Sequence, residues 1–229
     1  MHSRPRSSSF ARAVGAALFA TLAAMHGHAG AVQPVASPSA FAVIDPDDIV
    51  ADHSQLEWSE AYLQWIASFP RGSSPVSDAT GALCDARQDG EVWFLAASDG
   101  TAPVERRCAV PAGKTLFVPI AAVTERSGNR EPDCPSMARI AADTLAQQVV
   151  KPAMSVDGQV VYNIESHRVA TGDCFALGLR QTPRSPLKGA VADGYYVMLR
   201  PLPPGTHTLV TSTRPDNAAL TTTYRLDVR

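Results

Sequence analysis

No run of this chain approaches the roughly 20 consecutive apolar residues that a membrane-spanning helix requires, so no transmembrane segment is expected in the mature protein. Clustered positive charge is missing as well. The densest basic spot is the pair Arg106-Arg107, whose side chains would point to opposite faces of a strand. That scarcity argues against nucleic acid as a partner, because phosphates are held by concentrated Lys and Arg. It equally argues against an electrostatic hold on an anionic membrane surface. Catalytic and cofactor signatures are lacking too: there is no H-E-x-x-H, G-x-S-x-G, G-x-G-x-x-G or Walker loop. No cofactor is therefore expected. The chain has no C-x2-C pair either, which disfavours a metal site built on its cysteines.

What is present begins at the N-terminus. Arg4, Arg6 and Arg12 precede or flank an Ala-rich uncharged stretch, Ala13 to Met25, and Ala29-Gly30-Ala31 supplies small residues before Val32. A basic start, a short apolar middle and an A-x-A end describe a secretory signal peptide over residues 1–31. Its removal leaves 198 of the 229 residues and takes away three arginines and no acid, so the net charge falls from −2 to −5. Residues 32–52 form an extended leader, with three prolines between 32 and 47. Residues 53–229 are expected to make a single domain, long enough to bury its own core. A secreted or periplasmic location follows.

The four cysteines, Cys84, Cys108, Cys134 and Cys174, all lie in the mature part. An even count in an exported chain reads as two disulfides, and three pairings are possible. Sequential pairing, Cys84–Cys108 with Cys134–Cys174, is preferred because it closes two separate loops. Oxidised, none of the four would be available as a thiolate nucleophile.

The hydrophobic pattern predicts a helix over Ser54–Phe69. Ser54 and Glu57 have capping-box spacing, and Trp58, Tyr62, Trp65, Ile66 and Phe69 share one face. A second helix is predicted over Pro135–Val150. Strands are predicted at Glu91–Ala97, Val104–Val110, Thr115–Ile120, Ser166–Ala170, Cys174–Arg180, Tyr195–Arg200, Thr206–Thr213 and Thr221–Arg229. Asp157-Gly158 between apolar runs signals a hairpin. No βαβ alternation and no internal repeat is seen, so the expected fold is mainly β. It is an antiparallel β-sandwich, immunoglobulin-like or jelly-roll, with two packed helices.

Five phrases carry a resemblance: EWSEAYLQWIASFP, TGALCDARQDGEVWFLA, RRCAVPAGKTLFVPI, DGYYVMLRPLPPGTHTL and the closing YRLDV. From about residue 54 to the C-terminus the chain resembles a widespread group of exported bacterial proteins. In that group VWFLA is more often followed by Gly, where this chain has Ala97. The resemblance implies the fold and the compartment and carries over no functional residue.

Candidate chemistry is sparse. His53, Glu57 and Glu60 lie at helical spacing, with Asp47, Asp48 and Asp52 nearby. They offer an oxygen-rich cation site or a carboxylate pair for acid–base work. The competing reading is that acids at a helix start favour its positive dipole end and that this polar stripe is solvated. His207 opens an apolar strand and His167 lies beside Arg168, each without an adjacent orienting acid. Trp58, Trp65 and Trp93 read as core. Tyr195 and Tyr196 point opposite ways in a strand, so one is expected nearer solvent, where it suits a ligand such as a sugar ring. The polar connections Thr124–Asp133 and Gln181–Asp193 are expected to border the working surface. The function expected is non-catalytic binding of a glycan, an envelope component or a protein. The alternative is a secreted hydrolase using carboxylate and His groups.

Overall fold

Ser54 and Glu57 close on each other as their spacing predicts. The computed structural model describes residues 41–70, 72–126, 133–149, 151–177, 189–214, 217 and 220–229. In it the Ser54 hydroxyl accepts from the Glu57 N–H, and the Glu57 carboxylate accepts from the Ser54 N–H. This capping box opens α1 (Gln55–Ala67), whose Tyr62, Leu63 and Trp65 are buried. The expected signal peptide, and the leader as far as residue 40, lie outside the described residues. Val43 in the rest of the leader bridges to Leu199, and Ile44 is buried.

The strands are β1 (Val92–Phe94), β2 (Val104–Val110) and β3 (Thr115–Arg126). After helix α2 (Cys134–Gln148) come β4 (Ala153–Val156), β5 (Gln159–Val160) and β6 (Arg168–Ala170). The chain finishes with β7 (Ala190–Leu199), β8 (Gly205–Ser212) and β9 (Thr221–Val228). One sheet has the order β1-β3-β7-β6 and the other β2-β9-β8-β4-β5. Asp157 and Gly158, with φ of 50° and 79°, make the tight β4–β5 turn that their sequence signals.

The mainly β architecture with two helices is as expected, and several details differ. The sheets are mixed rather than wholly antiparallel: β1 runs parallel to β3 and β2 parallel to β9. Side-chain alternation has the same period in both arrangements, so it does not reveal strand direction. The strand expected over Thr115–Ile120 runs on to Arg126, because Val123 is buried among α2 side chains. Tertiary burial thus extends a strand through residues of modest β-propensity. Of the connection Thr124–Asp133, residues 124–126 are strand, Asp133 caps α2, and 127–132 lie outside the described residues. Likewise Ala190–Asp193, expected as connection, open β7, while 181–188 lie outside. Ile164–His167 form a short 3₁₀ turn before β6. In the strand expected at Cys174–Arg180, Phe175 makes one bridge to Ala190, and 178–180 are outside the described residues.

Three apolar clusters order the layers. Leu116, Val118, Ile120, Val197 and Leu199 of the first sheet meet Cys108, Val110, Val156, Leu209, Leu226 and Val228 of the second. The other face of the first sheet, with Phe117, Ala192, Tyr196 and Met198, is covered by α1. Farther along the inner face, Val123 and Val191 pack against Met137, Ala141 and Leu145 of α2. The sheet β1-β3-β7-β6 is therefore sandwiched between α1 on one side and the second sheet with α2 on the other. Both disulfides have the expected pairing, with Cα separations of 5.7 Å for Cys84–Cys108 and 5.5 Å for Cys134–Cys174.

One irregularity positions everything that follows. Opposite β7, the register of β3 shifts by one residue between Pro119 and Ala121. Such a bulge reassigns faces and hydrogen-bonding sides downstream of it. Gly194 makes room for it, since a Cβ there would lie 2.6 Å from the Ala121 carbonyl oxygen.

Candidate functional site

β3 is flanked by β7 along its length but by β1 only at Thr115, Leu116 and Phe117. Beyond the bond from Leu95 N–H to the Phe117 carbonyl, β3 takes no backbone partner on that side among the described residues. This open half-edge faces a cleft of about 660 Å³. One strand contributes Ile120, Ala121, Ala122 and Thr124 to its lining, residues of both parities, so the cleft meets the strand edge-on rather than face-on. Tyr62, Leu63 and Ile66 of α1 and Gln147, Gln148 and Val149 at the end of α2 also line it, as do the turn Ser98–Gly100 and residues 213–214 and 220. Its volume falls in the range of about 300–1,000 Å³ usual for ligand clefts.

The walls are held by polar groups working inward. Arg106 is 1 % exposed, on the face that carries Cys108 and Val110. Its Nε donates to the Asp78 carbonyl at 2.7 Å, and its Nη2 to those of Val76 and Ala97 at 3.0 and 3.3 Å. Nη1 reaches the Tyr224 hydroxyl at 2.7 Å and the Ala96 and Ala97 carbonyls. Val76 and Ala97 line the cleft, so this guanidinium fixes one wall from beneath. The Tyr62 hydroxyl accepts from the Ala97 N–H at 3.3 Å, and burial pushes its pKa far up, leaving it a neutral phenol. At the other wall Arg214 donates to the Gln147 and Gln148 carbonyls, capping the end of α2. The Asp99 carboxylate accepts from the N–H and hydroxyl of Thr101, and these bonds hold its pKa below the ordinary carboxylate value.

The residues singled out in the sequence lie elsewhere. Exposed His53 stacks on Trp58 at 5.1 Å, and its Nδ1 faces the Ala51 carbonyl. Glu57 is engaged in the capping box, whose backbone bond with Ser54 lowers its pKa. Glu60 is half-buried, and desolvation followed by the Glu57 charge raises its pKa. Asp47, Asp48 and Asp52 are exposed. No group of three or more His, Cys, Asp or Glu converges as a metal site among the described residues. His167 is 4 % exposed and kept neutral by burial, which lowers its pKa against the charge of Asp45. Tyr196 is fully buried against Tyr62 and Phe117, and Tyr195 is the half-buried one of the pair. Neither lines the cleft. Thr124 alone joins the expected Thr124–Asp133 border to it.

His207 has an orienting acid fifty residues away. Its Nδ1 lies 2.7 Å from an Asp157 carboxylate oxygen and its Nε2 lies 2.8 Å from the Pro203 carbonyl. Both neighbours are acceptors, so both bonds form only when the ring is protonated. Burial opposes that charge, but the bonds to Asp157 and Pro203 and the carboxylate charge together raise the pKa of His207. With both nitrogens spent, the ring is a staple between the Asp157 turn and the start of β8. A folded pKa above the ordinary 6.5 means that its contribution is complete below 6.5 and is lost as pH rises through the folded value. Asp157 behaves oppositely: burial raises its pKa, the His207 and Thr208 bonds outweigh it, and the net shift is downward. Its contribution is complete above the ordinary 3.8 and fades as pH falls through the folded value. Urea titrations are therefore expected to show stability greatest between those limits. His207→Gln should remove about 1 kcal/mol at pH 6 and flatten the decline on the alkaline side. An unchanged alkaline slope in the variant would show that the staple contributes nothing.

Neither the family models nor the curated proteins give a match to this chain. Among solved structures it is similar to PbICP-C in complex with falcipain-2, at 12% identity and a TM-score of 0.26, over 61% of this chain and 100% of that one. It is also similar to the solution structure of Amebosin, at 11% identity and a TM-score of 0.22, over 56% and 97% of the respective chains. At such scores neither likeness carries an argument.

Proposed function

We propose that this chain is an exported, disulfide-stapled binding protein that receives its partner in the cleft beside β3. The observation that carries the reading is a preformed concavity walled by two helices and opening onto a strand edge that is unpaired among the described residues. Its charged lining groups already serve the fold: Asp99 is held by Thr101, and Arg214 by the last carbonyls of α2. The described lining residues include no His and no Cys, so no nucleophile–base pair of those types is assembled among them. Export is supported by the basic, Ala-rich start of the chain and by the two disulfides.

The test is a thermal-shift screen of the mature protein against peptides, cell-wall fragments and oligosaccharides. At a hundredfold excess over Kd a partner stabilises the folded state by about 2.7 kcal/mol. For a chain of this length that is a rise of roughly 5–10 °C in Tm. Ser98→Trp and Gln147→Trp, placed on two different walls, are expected to abolish the rise without lowering the Tm of the free protein by more than a few degrees. A shift that survives both substitutions puts the binding surface elsewhere.

A secreted hydrolase is the second reading, and the Asp157–His207 contact is the observation in its favour. Hydrolysis of ester, peptide or glycoside reporters that disappears in His207→Gln would establish it. The pair lies outside the cleft, and the ring has no unbonded nitrogen to offer a substrate while protonated.

A further inference from the structure

The hydrogen-bonding sides of β3 can be assigned residue by residue. Thr115 N–H bonds to the Glu91 carbonyl and Leu95 N–H to the Phe117 carbonyl, so odd residues face β1 before the bulge. Pro119 continues that odd series. It lacks an N–H, and it sits where β1 has ended and no ladder donor is required. After the bulge the sides exchange. On β7, even residues turn to the far side: Ala192 accepts from Thr171, and Ala190 exchanges bonds with Phe175. Odd β7 residues Val191, Asp193 and Tyr195 therefore bond to β3, where they oppose Glu125, Val123 and Ala121. The N–H and C=O groups of Ala122, Thr124 and Arg126 consequently point to the open edge. Ala122 and Thr124 line the cleft.

We infer that the occupant of the cleft is an extended polypeptide segment of a partner protein, added as a fifth strand to the sheet beside β3. This deepens the binding reading above and rests on it. A strand is the ligand whose own backbone supplies alternating donors and acceptors at the spacing the edge presents. Residues 122–126 give a ladder of about 17 Å at 3.4 Å per residue, room for a guest of five residues. α1 and α2 stand on opposite faces of the sheet, so the alternate side chains of the guest pack against one helix and then the other. Ala97, Gly100, Ala121 and Ala122 project little into the cleft, which leaves room for a guest strand and its side chains. Among the described residues the lining carries one carboxylate and one guanidinium, Asp99 and Arg214, a balance that matches an uncharged segment. A sugar ring finds no comparable platform among the described residues: Tyr62 is the one aromatic residue in the lining, and it is 2 % exposed. The described part of the leader lies elsewhere, with Val43 bridging to Leu199 on the far side of β7.

The test begins on the free protein. Amide hydrogen exchange followed by NMR is expected to be at least a hundredfold faster at Ala122 and Thr124 than at Val123 and Glu125. Equal protection at all four would overturn the proposal. A displayed library of random nonapeptides is then selected on the mature protein, and captured sequences are synthesised with blocked ends. Binding should protect the Ala122 and Thr124 amides. Methylation of alternate guest nitrogens on the paired side should weaken it at least tenfold, and methylation on the other side should not. Thr124→Pro removes an edge donor without touching the β7 ladder, as Pro119 already does, so it is expected to fold and to lose at least tenfold in affinity. Val123→Pro, which breaks that ladder, is expected to unfold the sheet.

Peptide affinity unchanged in Thr124→Pro but lost in Ser98→Trp would keep the cleft and overturn the strand. Affinity unchanged in Thr124→Pro, Ser98→Trp and Gln147→Trp would overturn both. A library that yields no binder, or a screen in which oligosaccharides alone bind, also overturns the strand proposal. A guest that proves to be the same chain, detected as concentration-dependent dimerisation by sedimentation, would replace the partner by a second copy and overturn the assignment.

Discussion

Reduction of both disulfides is expected to shift the urea midpoint of the mature protein downward by roughly 3 M. On the chain-entropy model a bridge spanning 24 residues, as Cys84–Cys108 does, stabilises by about 3.5 kcal/mol, and one spanning 40 residues by about 3.9 kcal/mol. Together they approach about 7 kcal/mol, a large part of the 5–15 kcal/mol typical of a folded domain. An m-value of about 2–3 kcal/mol/M converts that sum into the expected shift. The two bridges do different work. Cys84–Cys108 lies within the core between the sheets, so the paired Cys84→Ala, Cys108→Ala variant should lower global stability. Cys134–Cys174 ties the first turn of α2 to the segment that bridges to Ala190 of β7. Its removal should loosen α2 first and cost binding at the cleft before the sheets melt. Identical unfolding curves with and without reductant would mean that the bridges are not closed in the purified protein.

Arg106→Met is expected to cost about 4 kcal/mol, or roughly 10 °C in Tm, although the side chains are of similar length. The guanidinium serves the carbonyls of Val76, Asp78, Ala96 and Ala97 together with the Tyr224 hydroxyl. Without it the Ala96 carbonyl keeps the Tyr224 hydroxyl at 2.6 Å, while the carbonyls of Val76, Asp78 and Ala97 lose their donor. Each buried acceptor left unmade costs about 1–3 kcal/mol. Arg106→Lys should recover part of the loss, because three donors on a flexible stem cannot copy a planar fork of five. Arg107→Met, next in the strand and exposed, should change stability by no more than about 0.5 kcal/mol. Equal small effects at the two positions would show that the buried network is not holding the cleft wall.

Much of the fold could be read from spacing. The capping box at Ser54 and Glu57 and the Asp157-Gly158 turn come from residues close in sequence, and the bridge pairing from a preference for two separate loops among three options. Even Arg106 was accessible in principle. Alternation through Cys108 and Val110 puts it on the dry face, and a charged residue on a dry face calls for a built partner set. The site itself was mostly illegible. Its lining comes from α1, α2, β3 and three turns, and Ala121, Ala122 and Ala97 carry no chemical signature. The Asp157–His207 contact joins positions fifty residues apart, so inspecting the neighbours of His207 in sequence could not find its acid. Tyr196 was read as a candidate contact because it is aromatic. It sits instead against Tyr62 and Phe117, since its strand is covered on both faces.

The extra residue in β3 lets this strand absorb one deletion at the bulge and none beyond it. Ahead of it Leu116, Val118 and Ile120 look toward the second sheet, and beyond it Ala121 and Val123 look the same way. Deleting one residue from 119 to 121 would take up the bulge and leave a regular strand, with Val123 still toward α2, Ala122 still toward α1 and the pairing of 122–126 with β7 unchanged. The same deletion would keep the even-numbered amides of 122–126 on the open edge, whereas losing a residue from 122 to 125 would turn every position beyond it to the opposite face. The strand can thus shed its surplus residue without moving the edge, but it cannot change length beyond that point without reversing which groups the edge presents.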